Sequence, residues 1–153
     1  MRDMVALLSA SPVFAGLDHD QLDFIAGCGW NVHFRAGDTI FKFGEPADRF
    51  FVLRAGTISV EIRHPGGPAR RLETLGDGEV LGWSWLFPPY TWQFDARALT
   101  DVRATAFDGT CLRDKCDDDP TLGYELMKRF AGIVTARLQA TRLQLLDLYG
   151  QPF

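Results

Sequence analysis

The spacing of apolar and polar positions changes twice along the chain, and each change marks a different kind of structure. Residues 2–10 and 18–27 predict two short helices. In the second, Leu22, Ile25 and Ala26 share one face, and Asp18 with Gln21 three positions on makes a capping-box start. From Trp30 to Phe107 the runs shorten and turn residues recur. Ile40, Phe41 and Phe43, then Phe50 to Leu53, are rich in β-branched and aromatic side chains, with Gly37, Gly44 and Gly56 between the runs. After Gly56 the alternation predicts a strand with Ile58, Val60 and Ile62 on one face and Ser59, Glu61 and Arg63 on the other. His64-Pro65-Gly66-Gly67-Pro68 predicts a hairpin tip. Beyond Pro120 the period lengthens again. Leu126, Met127, Phe130, Ile133, Val134, Leu138, Leu145 and Leu148 recur every three or four residues, and Asp117, Asp118 and Asp119 precede a proline suited to a first helical turn. A helix from Pro120 to Leu148, ending at Tyr149-Gly150, would be about 43 Å long.

These elements predict a mainly β fold with flanking helices in one domain, 1–153. Its parts are N-terminal helices over 1–29, a β-roll over 30–109 and C-terminal helices over 110–150. The long helix exceeds what one small roll can cover. Its remaining apolar stripe predicts a homodimer formed through that helix.

Composition narrows the function. The chain has 153 residues, 46% hydrophobic and 24% charged, with a formal net charge of −4. A broad nucleic-acid face would need clustered Lys and Arg, so no nucleic-acid partner is expected. No apolar stretch approaches the ~20 residues of a membrane span and none has the form of a signal peptide, which predicts a cytoplasmic protein without a membrane partner. Cys28, Cys111 and Cys116 lack the paired spacing of a zinc site and are expected to be reduced, partly buried thiols, with no metal bound. His19, His33 and His64 have no nucleophile beside them, Asp117 to Asp119 read as a helix-capping run, and Gly76-Asp77-Gly78 lacks the third glycine of a dinucleotide loop. No catalytic constellation emerges, and no enzymatic activity is expected.

The glycines and apolar residues of Phe34-x-x-Gly37-x-x-Ile40, followed by Gly44, Asp48, Phe50-x-Val52 and Gly56, resemble the start of a cyclic nucleotide-binding domain. The closer likeness is to the effector domain of the catabolite-activator (Crp/Fnr-like) family, over about residues 5–149. That resemblance implies a double-stranded β-helix, or jelly roll, with a ligand pocket for cAMP, cGMP or another nucleotide. Family members open their phosphate-binding cassette with Gly-Glu-(Leu/Val) and carry an arginine further on. Here Gly78, Glu79, Val80, Leu81 and Gly82 follow the opening, with Trp83 next and Glu79 in the ribose-binding place. Arg137 to Thr141 looks like the stretch of the dimer helix that closes over the base, with Thr141 as its hydrogen-bonding residue. No helix-turn-helix domain of that family is expected.

One departure stands out. The cassette arginine should fall near position 92, which is Trp92, and no Arg or Lys occurs from Trp83 through Ala96. Arg97 and Arg142 remain as candidate phosphate or partner contacts, although Arg97 alternates against Phe94, Ala96 and Ala98 and is expected to point outward. Burying an anionic phosphodiester without a cation costs several kcal/mol. Rings replace the charge: Trp83, Trp85, Phe87, Tyr90, Trp92 and Phe94. They could fill the roll, line a platform for a flat ligand, or dock a protein. Two functions stay open. One is a stand-alone, dimeric sensor with a degenerate cassette. The other is an accessory subunit of a larger, NAD(P)-linked redox complex of the kind this fold accompanies elsewhere.

Overall fold

The computed structural model describes residues 2–63 and 65–149. His64, at the expected hairpin tip, and Gly150, at the expected end of the long helix, lie outside them. Helix α1 (Arg2–Ser9) and a 3₁₀ turn (Pro12–Phe14) lead to α2 (His19–Ala26), which starts on the expected capping box. Asp18 accepts from the Gln21 amide at 2.8 Å, and the Gln21 side chain accepts from the Asp18 amide at 3.0 Å. Strands β1 (Gly29–Phe34), β2 (Thr39–Phe41), β3 (Arg49–Ala55), β4 (Ile58–Arg63), β5 (Ala69–Leu75), β6 (Val80–Leu81), β7 (Asp95–Ala98) and β8 (Val102–Asp108) follow. They form two four-stranded antiparallel sheets, ordered β1-β8-β3-β6 and β2-β7-β4-β5. The chain closes with α3 (Gly109–Asp118) and α4 (Pro120–Tyr149).

Strand β3 explains the layering. Its alternate residues Phe51 and Leu53 face the second sheet and share a core with Ile58, Val60, Ala96 and Ala98 of that sheet and with Leu81, Ala104 and Ala106 of their own. Phe50 and Val52 face the opposite way, onto Phe14, Ile25, Leu112, Leu126 and Phe130 of the helices. A strand covered on both faces reads as a continuous apolar run, as Phe50 to Leu53 does.

The structure corrects three expectations. Cys28 and Cys111 are joined in a disulfide across 83 residues of sequence, and only Cys116 is a free thiol. Register explains the pairing: Gly29 lies opposite Phe107, so the residues flanking β1 and β8 are neighbours. On β4 the outward Ser59 and Glu61 are buried, because Arg71 and Arg97 lie over them, whereas Ile62 is exposed. Asp117 and Asp118 belong to α3, and only Asp119 caps α4, accepting from the Leu122 amide. After Arg137 the described side chains of α4 are all exposed.

Candidate functional site

The cassette runs from the β5–β6 turn through β6 into a short 3₁₀ helix, Ser84–Leu86. Gly82 joins strand to helix at φ 97°, a left-handed conformation that favours glycine. A Cβ placed on Gly82 would lie 2.6 Å from the Trp92 ring. Trp92 is buried and stacks flat on Phe41, with centroids 3.8 Å apart and planes 6° from parallel. The indole therefore covers the strand-to-helix corner.

The other expected site residues separate into several places. Glu79 is exposed, and its Oε1 accepts from the Gly76 amide at 2.9 Å, so the carboxylate closes the turn before β6. Together with Gly78, Val80, Pro12, Arg129 and Arg137, it borders a cleft of about 410 Å³ beside α4. Leu81 points into the core between the sheets and Val80 toward the helices. Trp85 is buried between Phe50 and Phe130, with centroids at 4.9 and 5.4 Å. Phe87 and Tyr90 are exposed at the far end of the cassette, where the Arg113 guanidinium stands 4.4 Å above the Tyr90 ring. Arg97 points outward as expected and donates to Glu61 at 2.7 Å. Thr141 donates back to the Arg137 carbonyl on its own helix at 2.9 Å, and Arg142 is exposed.

The residue that joins α4 to the cassette is Arg137. Its side chain is 13% exposed, its Nε lies 3.7 Å from Glu73 Oε1, and its guanidinium donates to the Val80 carbonyl. The same guanidinium stands 5.1 Å over Trp83, whose edge meets Phe94 at 6.1 Å. Burial pushes the Glu73 carboxyl up, against the lowering effect of Arg137. Burial also pushes Arg137 down, against Glu73 and Glu79. Desolvation thus opposes the ion pair at both partners, so the pair positions α4 more than it stabilises the fold. The sequence carried a signal for Arg137. Leu126, Phe130 and Ile133 form the stripe facing the roll, and Arg137 is its next member, four residues on.

Among the described residues no group of three or more His, Cys, Asp or Glu could hold a metal, and no helix is long and apolar enough to cross a membrane. The family model for the cyclic nucleotide-binding domain matches residues 31–119, from β1 through α3. The chain belongs to that family. Among curated proteins it is similar to a CRP-like cAMP-activated global transcriptional regulator of Mycobacterium tuberculosis, 28% identical over 145 residues. That match takes in 95% of this chain and 63% of the relative, so the chain spans less than two thirds of the regulator's length. Among solved structures, a cyclic nucleotide-binding protein candidate from Geobacter metallireducens GS-15 shares 30% identity at a TM-score of 0.79, covering 87% of this chain and 96% of that one. The N-terminal domain of a transcriptional regulator from Streptomyces coelicolor A3(2) shares 28% identity at a TM-score of 0.70, over 88% and 94%. The jelly-roll expectation and the Crp-like resemblance are both borne out.

Proposed function

We propose that this cyclic nucleotide-binding domain is a non-enzymatic regulatory sensor whose cassette has lost its cyclic-phosphate place, and whose response element is α4. The observation that carries the reading is Trp92 lying over Gly82. A cyclic phosphate at that corner would have to displace a stacked indole and would find no cassette cation in exchange. The guanidinium that α4 brings to the cassette, that of Arg137, is engaged by Glu73, Val80 and Trp83. A flat ring resting near Trp83 and Phe94 needs no such cation, and any shift of Trp83 passes directly to Arg137 and α4.

The test compares melting shifts with adenosine, cAMP, cGMP, cyclic dinucleotides and NAD(P)H. A ligand at a hundredfold excess over its Kd should add about 2.7 kcal/mol of stability. The expected outcome is a shift with at least one ligand, and no advantage of cAMP over adenosine. If cAMP binds a hundredfold or more tightly than adenosine, the phosphate place is intact and the degenerate-cassette reading is wrong. If no ligand shifts the melt, the sensor reading fails. The docking reading then gains from the exposed Phe87 and Tyr90, and a Tyr90→Ala variant should lose a partner captured from native extract.

A further inference from the structure

The disulfide sits where the roll hands over to its helices. Cys28 lies between α2 and β1, and its carbonyl accepts from the Asp108 amide at 2.9 Å. Cys111 is in the first turn of α3, with its amide donating to the Asp108 carboxylate at 3.0 Å. Only Asp119 separates α3 from α4, and the two helices pack closely, a Cβ on Gly123 meeting Cys116 at 3.1 Å. The cross-link therefore ties the base of the α3–α4 pair to the α2–β1 junction.

We propose that Cys28–Cys111 is a redox-sensitive clamp that fixes α3, and through it α4, against the roll, and that its reduction loosens this helical pair without unfolding the domain. Exposure divides the two residues. Cys28 is 4% exposed, whereas Cys111 is half-buried at the rim, so an incoming thiolate reaches Cys111 first. Non-covalent ties keep the reduced chain folded. Gly109 donates to the Asp48 carbonyl at 2.7 Å, and Lys115 donates to the Phe24 carbonyl at 2.5 Å while standing over the Phe24 ring. The six-residue β1–β8 ladder beneath does not depend on the cross-link. Cys116 stays outside the exchange: burial, with Asp117 and Asp119 nearby, pushes its thiol up and keeps it protonated.

The oxidant is a low-molecular-weight disulfide. The Cys111 thiolate attacks it and expels one thiol, and the Cys28 thiolate then attacks the mixed disulfide at Cys111 and expels the second. Two electrons pass from the cysteine pair to the small disulfide. The two protons lost from Cys28 and Cys111 are taken up by the two departing thiolates.

The inference does not rest on ligand sensing, and its test uses no nucleotide. The full chain is equilibrated in oxidised and reduced glutathione, then labelled natively with a maleimide and weighed after unfolding in the presence of more label. One modified cysteine is expected in the oxidised form and three in the reduced form, reversibly. Hydrogen exchange should quicken by tenfold or more across α3 and the first half of α4 on reduction, while β4 and β7 stay unchanged. Cys116→Ser should keep this response, and Cys111→Ser should exchange as the reduced form in either buffer. Should Cys111→Ser fail to fold, wild type reduced with dithiothreitol supplies the same comparison. Three free thiols in oxidised buffer, a cross-link that excess reduced glutathione never opens, global unfolding on reduction, or unchanged exchange at α3 and α4 would each overturn the clamp.

Discussion

At Trp92 one side chain does two jobs. It closes the Gly82 corner and it completes a stacked pair with Phe41. Trp92→Ala should cost about 3–5 kcal/mol, because a buried indole leaves a cavity its neighbours cannot fill; urea denaturation measures the loss. Trp92→Arg tests the chemistry instead. It should also destabilise the free domain, but cAMP should then bind more tightly than adenosine, read by calorimetry. If both ligands remain equal, the missing cation is not what excludes the phosphate. Glu61 gives a second test at this scale. Burial alone would raise its carboxyl, but hydrogen bonds from Arg97 and Ser59, with the charges of Arg97 and Arg71, outweigh burial and hold it below its ordinary value of 4.5. A lowered folded pKa contributes stability that is present above the unfolded value and lost as the pH falls through the folded one. Glu61→Gln should therefore flatten the decline in stability below about pH 4.5, followed by thermal melts across an acid series.

Among the elements, α4 is the one whose sequence promises more contact than the roll can supply. Its first half buries Leu122, Leu126 and Phe130, whereas Leu138, Leu143, Leu145 and Leu146 are 48–64% exposed. A second copy packed along this half is the reading we favour, and Leu138→Glu with Leu145→Glu should convert the dimer to a monomer in sedimentation analysis. An unchanged mass in the variant, or a monomeric wild type, would remove the case. The period of these residues was plain in the sequence, as were the capping box of α2 and the alternation on β4. What covers a face was not. Alternation put Ser59 and Glu61 on the outer side correctly, but could not show two arginines from other strands lying over them. The pairing of Cys28 with Cys111 was hidden for a related reason, since only the β1–β8 register brings residues 83 apart into contact. The cassette was legible as a class, while the local geometry of its residues was not. Glu79 has the expected neighbours in sequence, but its carboxylate serves its own turn, and the strand-to-helix corner falls at Gly82 and Trp83.

At the scale of the molecule, roll and long helix communicate through few side chains, and Arg137 is the last of them along α4. Below it, Phe130 and Leu126 sit in the helical core and Arg129 donates to the Ala15 carbonyl. Above it, no described side chain of α4 is buried. Because desolvation works against both Glu73 and Arg137, removing the guanidinium should alter global stability little, by about 1 kcal/mol or less, since Glu73 is partly exposed and can regain water. The mechanical consequence should be larger. Arg137→Met keeps an unbranched apolar stem but drops the hydrogen bond to Val80, the ion pair and the cation–π contact with Trp83. Hydrogen exchange in α4 beyond residue 133 should then rise severalfold with nearly unchanged melting temperature, and any ligand that stabilises the roll should no longer slow exchange there. If the variant melts far lower while α4 exchanges as in wild type, Arg137 is a structural prop and the roll must reach α4 by another route.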